Sequence, residues 1–260
     1  MGAVRFILLA FAAFFCVSLF ARQPADALPS ADRAYEHALA MILYGDKTEV
    51  VDKRIGPIRA IATTHDDSSR ELVSKAVGEI NDAFGYGKLA LSWSDSPELE
   101  DDAITIYIGP KTDGRQLIKR FGVSSPRAFR SSTYYYWWED ARRNHIRRCL
   151  IALDHLLPKE HQSEDLRYLL LACMGFKSPW SAKQLQRTPN SSDASQGPLF
   201  SNFDTAIIRF FDKHVEPGAK AWEMRKVFKN KWPDFSAAYY NPQVEHDSNQ
   251  AVENGSRFTP

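Results

Sequence analysis

The clearest structural signal in this chain is an amphipathic helix that lies between two short strand-like segments. Its apolar residues follow a 3.6-residue period and are Leu72, Val73, Ala76, Val77, Ile80, Ala83 and Phe84. Asp66, Asp67 and Ser68 come just before them and can cap the first turn. Residues 57–63 alternate as a strand does, and residues 89–93 form a short apolar run. A helix with one apolar face between two strands must bury that face, which predicts helices packed on a β-sheet.

The other periodic segments continue this order along the chain. Strands are predicted over residues 103–108, 131–138 and 146–154. Helices are predicted over residues 31–44, 114–121, 164–175, 203–214 and 222–228. The predicted class is α+β, with a twisted mixed sheet of about four to five strands packed on two long helices and a small helical C-terminal part.

Composition and the order of segments predict one domain between two terminal segments. With 44% hydrophobic and 25% charged residues, the chain has the composition of a globular protein. The domain is expected over residues 28–240, with its sheet and helix core over 50–180 and its helical part over 198–240. Residues 183–197 are expected to form an exposed loop, and the weakly apolar residues 241–260 a disordered tail. A formal charge of +1 gives no electrostatic basis for binding nucleic acid.

The N-terminus is typical of a secretory signal peptide. Arg5 precedes an apolar run over residues 6–20, and Ala25-Asp26-Ala27 matches a small-residue cleavage site. The run is shorter than the roughly 20 residues that a spanning helix needs. We therefore predict a signal peptide over residues 1–27, cleavage, and an exported chain with no stable membrane span. Retention of this segment as a membrane anchor is the alternative.

Cleavage of the signal leaves two of the three cysteines in the mature chain. Cys16 lies in the signal segment, so Cys149 and Cys173 remain. Two thiols in an oxidising compartment can form one disulfide. A pair of buried free thiols is the alternative.

Residues 164–179 (EDLRYLLLACMGFKSP) have the form of a zinc-peptidase active-site helix without its ligands. In the signature HExxHxxGxxH, three histidines bind zinc and the glutamate polarises a water molecule. With Gly175 placed on the glycine of that signature, the other positions fall on Tyr168, Leu169, Ala172 and Ser178. Tyrosine, leucine and alanine cannot assemble a zinc site with an activated water. We therefore assign no catalytic, cofactor or metal residue here and interpret these side chains as packing residues.

The densest group of possible metal ligands follows the last predicted strand. It consists of Asp154, His155, His161 and Glu164. These residues are the candidates for a hydrolase with a non-standard site. Their spacing matches no known zinc pattern, so a solvated loop is the favoured interpretation.

An aromatic block over residues 134–138 is a candidate ligand platform. Tyr134, Tyr136, Trp137 and Trp138 offer flat faces that can stack on sugar rings or on peptide side chains. The favoured interpretation is an edge strand that buries alternate residues and covers a groove with the others.

Three segments resemble the secreted bacterial family known as domain of unknown function 2927. Residues 54–59 (RIGPIR) resemble its opening Pro-Ile/Val-Arg strand, and residues 166–176 its Leu-x-Glu-Glu-Leu-x-Gln-Ala-Leu-Gly-Leu helix. Residues 200–218 resemble a downstream segment of the family in which an Asp-led helix ends in a Pro-Gly turn. The matching residues are Phe200-Ser201-Asn202, Asp204, Arg209 and Val215-Glu216-Pro217-Gly218. The resemblance spans roughly residues 50–220. It implies a zincin-like fold in which the family's Glu pair and Gln fall on Tyr168, Leu169 and Ala172.

The combined prediction is a periplasmic or extracellular protein with a degenerate zincin-like domain. It is expected to bind an unknown protein or an envelope polymer rather than to act as a metallopeptidase, and it needs no cofactor. A peptidase-like hydrolase with a non-standard site is one alternative. An envelope glycan binder that uses the aromatic block is another.

Overall fold

The computed structural model describes residues 29–43, 49–123, 127–130, 133–140, 144–176 and 200–241. The predicted signal peptide, the predicted loop over 183–197, Ser178 and all of the predicted tail except Asn241 lie outside these residues. The chain divides into two compact units. One comprises residues 31–235, and of the other the structure describes residues 29–30 and 236–241.

The described residues contain six helices and six strands. The helices are α1 (Ala31–Leu43), α2 (Asp67–Phe84), α3 (Lys111–Arg120), α4 (Lys159–Ala172), α5 (Asn202–His214) and α6 (Ala221–Tyr240). The strands are β1 (Ile58–Thr64), β2 (Leu89–Trp93), β3 (Ala103–Gly109), β4 (Arg127–Arg130), β5 (Thr133–Asp140) and β6 (His145–Asp154). Three helices depart from their predicted bounds: α3 begins three residues before residue 114, α4 begins before residue 164 and ends before 175, and α6 runs on past residue 228. Strand β4 was not predicted.

The strands form one mixed sheet in the order β2-β1-β3-β6-β5-β4. Strands β2, β1, β3 and β6 are parallel, whereas β5 is antiparallel to β6 and β4 is antiparallel to β5. Central parallel strands are buried on both faces, and consecutive residues of β3 such as Ala103 and Ile104 are accordingly buried. The fold is therefore mixed α and β, which is compatible with the predicted α+β class. The sheet has six strands, whereas four to five were predicted. The additional strand is β4, which pairs with β5 as a short hairpin.

Helix α2 forms as its sequence predicts. The carboxylate of Asp66 accepts a hydrogen bond from the Ser69 backbone N–H at 2.7 Å and so caps the first turn. Gly85 ends the helix in the left-handed conformation, with φ of 79°. The apolar face, including Val73, Val77 and Ile80, is buried, and the helix packs against α4 and α5.

Aromatic side chains dominate the contact between α5 and α6. Phe210 on α5 lies with its ring centroid 4.4 Å from that of Phe228 and 5.3 Å from that of Trp232. All three side chains are buried. In the part of the chain that the structure describes, no helix is long and apolar enough to cross a membrane.

Candidate functional site

Helix α4 carries the residues that the sequence places at the zinc-ligand and catalytic-glutamate positions of the zincin signature. Leu169 is 0% exposed and Ala172 is 2% exposed, and both belong to the hydrophobic core. Tyr168 is half-buried, and Ser178 lies outside the described residues. Leucine and alanine have no donor atom, and here they are packed in an apolar environment. The residues present therefore do not fit a zincin zinc ion.

A disulfide fixes the C-terminal end of α4 to the sheet. Cys173 directly follows the helix and is bonded to Cys149 on β6, with 5.8 Å between the two Cα atoms. Both residues are fully buried. Of the two possibilities that the sequence leaves open, a bridge and a pair of free thiols, the structure has the bridge.

The turn after α4 lies directly against the segment that leads into β1. Gly175 has φ of +107°, a conformation that side chains with a Cβ rarely adopt. A Cβ atom at this position would overlap the carbonyl oxygen of Asp52. Only glycine allows the two backbones to approach this closely, so the shape of the turn depends on Gly175 for steric reasons.

Arg54 joins the same turn to the beginning of β3. Its Nε donates to the carbonyl oxygen of Cys173 at 3.1 Å, and its Nη2 donates to that of Ala103 at 3.0 Å. The residue is 2% exposed, and burial lowers the pKa of its guanidinium to about 10. Arg54 therefore stabilises the end of α4 as a buried capping cation.

Lys53 performs the same role for α5. Its Nζ donates to the carbonyl oxygens of Phe211 at 3.0 Å, Asp212 at 2.6 Å and Val215 at 2.8 Å. These carbonyls lie at the C-terminal end of the helix, where a cation is favoured. Burial is the main cause that lowers the pKa of Lys53 to about 8.

A third buried cation, Lys88, is paired with Asp212. The Lys88 Nζ donates to one carboxylate oxygen of Asp212 at 2.7 Å, and the Tyr86 hydroxyl donates to the other at 2.5 Å. Burial, followed by this hydrogen bond, raises the pKa of Tyr86. Lys53, Arg54 and Lys88 thus form a group of buried cations that connects α4 and α5 to the sheet. Sequence reasoning missed this group, and the adjacent Lys53 and Arg54 just before a strand were the only local sign of it.

The residues proposed for a non-standard hydrolase lie at the end of β6, in the loop after it and on α4, and His155 Nδ1 lies 3.6 Å from the Asp154 carboxylate. Asp154 ends β6 and its carboxylate accepts the Leu156 N–H at 3.0 Å, while the His155 ring lies 4.9 Å from that of His65. His161 is exposed on α4, and Glu164 lines a groove between α2 and α4. Among the described residues, no group of three or more His, Cys, Asp or Glu side chains is placed to hold a metal ion. His155 therefore lies beside both Asp154 and His65.

Ser201, Asp204 and His37 form a hydrogen-bonded set that the sequence did not indicate. Asp204 accepts from the Ser201 hydroxyl at 2.8 Å, and its other oxygen lies 2.7 Å from His37 Nε2. Burial raises the pKa of Asp204, but the hydrogen bonds with His37 and Ser201 outweigh it and leave that pKa lowered. A serine hydrolase needs histidine between serine and aspartate, and here aspartate lies between the other two. Ser201 and Asp204 form the N-terminal capping box of α5, and His37 adds a further hydrogen bond to Asp204.

The aromatic block lies on β5, which pairs with β6 along its whole length. Backbone pairing with β4 covers only residues 133–135 of β5. Residues 136–140 therefore have one neighbouring strand within the described residues. The proposed platform of Tyr134, Tyr136, Trp137 and Trp138 side chains lies outside what the structure describes.

Comparisons with protein-family models, with curated proteins and with solved structures gave no match to this chain. The geometry of the chain itself is therefore what bears on function. It offers a helix whose predicted ligand positions are packed, a strand in which residues 136–140 have one neighbouring strand among the described residues, and buried cations near the turn that follows α4. The edge of a sheet in a rigid frame is suited to pairing with an extended peptide.

Proposed function

We propose that this protein is an exported zincin-like domain that binds an extended segment of a partner protein and does not act as a metallopeptidase. The observation that carries the proposal is the packing of Leu169 and Ala172 on α4. These are positions at which an active zincin would hold its catalytic glutamate and second histidine. Here they contribute to the hydrophobic core instead.

The order of elements supports the zincin-like part of the proposal. A strand, a long helix, two strands, an excursion, a further strand and a helix follow one another from β1 to α4. This is the order that the resemblance implies for the core. Because a fold does not fix a function, the binding activity rests on a separate argument.

The open side of β5 supports a binding role. Backbone N–H and C=O groups that have no strand partner can pair with an added extended peptide. Within the described residues, the stretch 136–140 has such a side.

The strand that would receive the peptide is held firmly against α4. The Thr133 hydroxyl at the beginning of β5 donates to the Asp165 carboxylate on α4 at 2.8 Å. Further along β5, Trp137 pairs with Cys149, which is itself bonded to Cys173 after α4. These bonds fix β5 relative to α4 before a partner binds, which reduces the entropic cost of binding.

The disulfide supports the export part of the proposal. Disulfides persist in oxidising compartments such as the periplasm and the extracellular space. The Cys149–Cys173 bridge agrees with the signal-like N-terminus in pointing to such a compartment.

Selection of extended peptides on the mature protein tests the binding role. A selected peptide is expected to slow amide hydrogen exchange of residues 136–140 by roughly tenfold or more, because added backbone hydrogen bonds protect these groups. Strand β2 provides an internal control, since in the described part of the chain it pairs only with β1. A scrambled peptide should protect neither strand. Protection of residues 89–93 in place of 136–140, or no protection at all, would contradict the proposed site.

A further inference from the structure

A cavity of about 360 Å³ lies at the amino ends of three parallel strands. It is lined by Arg54, Ile55, Pro57, Ile58, Asp102 and His145. Ile58 begins β1, Asp102 precedes β3 and His145 begins β6. The volume falls within the roughly 300 to 1,000 Å³ that is typical of small-ligand sites. Sequence reasoning assigned no function to these residues.

Arg54 brings an incompletely paired positive charge to this cavity. A guanidinium has five N–H groups, and the bonds to Cys173 and Ala103 engage only Nε and Nη2. No described residue accepts a hydrogen bond from its Nη1. The residue is 2% exposed, so its charge lies in a poorly solvated position. The carboxylate of Asp102 already favours the charged form of Arg54, and an anion in the cavity would offset more of the cost of burying this charge.

Asp102 in the wall of the cavity and Asn144, directly before His145, have unusual backbone conformations. Asp102 and Asn144 have φ of 57° and 47°, which is uncommon for residues other than glycine. A hydrogen bond holds each residue in place. The Asp102 N–H donates to the Arg147 carbonyl oxygen at 2.8 Å, and the Asn144 carbonyl oxygen accepts from the Lys53 N–H at 3.2 Å. Strain of this kind persists where the surrounding structure fixes it and is concentrated at binding sites.

His145 supplies a second polar group with a defined orientation. Its Nδ1 lies 3.0 Å from the Lys53 carbonyl oxygen, which can only accept, so Nδ1 carries a proton. Its Nε2 lies 3.4 Å from the carboxylate of Asp102. The Asp102 side chain is already 74% exposed. It can therefore rotate towards solvent with little loss of buried surface.

An apolar rim accompanies these polar groups. Ile55 is 64% exposed, and Gly56, with φ of +71°, turns the chain between it and Pro57. Pro57 and Ile58 continue the apolar lining. A ligand that contacts both Arg54 and this rim needs one anionic end and an apolar body.

We infer that this cavity binds a carboxylate attached to an apolar group, with Arg54 as the anion-binding residue and Ile55 as the apolar contact. A planar carboxylate matches the fork of a guanidinium. A single negative charge is favoured over a double one because Asp102 already lies on the wall. The inference does not depend on the proposed function, since the cavity does not include the open side of β5.

Titration of the mature protein with N-acetyl-leucine and with N-acetyl-leucinamide tests this site. The acid is expected to bind about tenfold more tightly than the neutral amide, because only the acid makes a charge-assisted hydrogen bond with Arg54. An N-acetylated tripeptide with a free C-terminal leucine identifies the source of the carboxylate. Tighter binding of the tripeptide would assign the site to polypeptide C-termini, and equal or weaker binding would assign it to small free acids.

Three variants connect the binding to the cavity without removing Arg54, which also supports the fold. Ile55→Glu should weaken binding of the acid about tenfold by placing a second carboxylate at the rim. Asp102→Asn should strengthen it about threefold, and asparagine tolerates the positive φ at this position. Leu156→Glu is the matched control, because Leu156 is 78% exposed and follows the opposite end of β6. Thermal unfolding verifies that each variant is folded.

Three results would overturn the inference. One is equal affinity for the acid and the amide, and another is the absence of saturable binding by either. The third is a loss of affinity in Leu156→Glu as large as that in Ile55→Glu.

Discussion

Replacement of Gly175 by alanine is expected to lower the free energy of unfolding by about 3 kcal/mol. Two costs contribute to this value. The first is the positive φ of +107°, and the second is the overlap of the new Cβ with the Asp52 carbonyl oxygen. The neighbour is backbone, so it cannot move aside as a flexible side chain could. Urea denaturation of the variant and the parent protein measures the difference.

Alanine variants at two other glycines distinguish the cost of the positive φ from the cost of the close contact. Gly122 has φ of +72°, and no atom lies within 4 Å of the point that a Cβ would occupy there, so Gly122→Ala should cost only about 1 kcal/mol. Gly78 lies exposed inside α2 with open space around it, so Gly78→Ala should stabilise the protein by about 0.5 to 1 kcal/mol. If Gly175→Ala were no more destabilising than Gly122→Ala, the close contact between the turn after α4 and Asp52 would be wrong.

Removal of the disulfide is expected to lower the free energy of unfolding by about 3 to 4 kcal/mol. The bridge closes a loop between residues 24 positions apart, and its loss gives the unfolded chain more freedom. The double variant Cys149→Ala and Cys173→Ala is suitable because both sites are fully buried, and serine would bury a hydroxyl group there. Urea denaturation without reductant gives the difference.

Reductant provides the control for the disulfide variant. It should destabilise the parent protein by a similar amount and leave the alanine variant unchanged. Thiol labelling of the unreduced, denatured mature protein should modify neither cysteine. Labelling of both cysteines, or equal stability of parent and variant without reductant, would contradict a bridge that stabilises the fold.

The elements that sequence predicts well are those specified by local patterns. Helix α2 has a 3.6-residue apolar period and the Asp66 cap, and both are found in the structure. The length of α6 was missed because Pro233 lies inside it, where proline usually ends a helix. Strand β4 was missed because its four residues have no apolar alternation that would mark a strand.

The buried cations could not be predicted because their partners are distant in sequence. Arg54 binds the carbonyl of a residue 119 positions away, and Lys53 binds one 158 positions away. The groups that accept from Arg54 and Lys53 are backbone carbonyls, which leave no residue-specific trace in the sequence, and Asp212, which accepts from Lys88, is 124 positions away from it. The sequence alone predicts that Leu169 and Ala172 are packing residues, because neither side chain can bind a metal. Their burial in the core required the structure.

The zinc content of the purified mature protein tests most directly whether α4 is a packing helix rather than the support of a metal site. We expect far less than one equivalent of zinc per chain, and no change when His155 and His161 are both replaced by alanine. The packed Leu169 and Ala172 are the reason for this expectation. One equivalent of zinc in the parent protein that is lost in the double variant would contradict this interpretation, because it would place a metal site at the loop between β6 and α4.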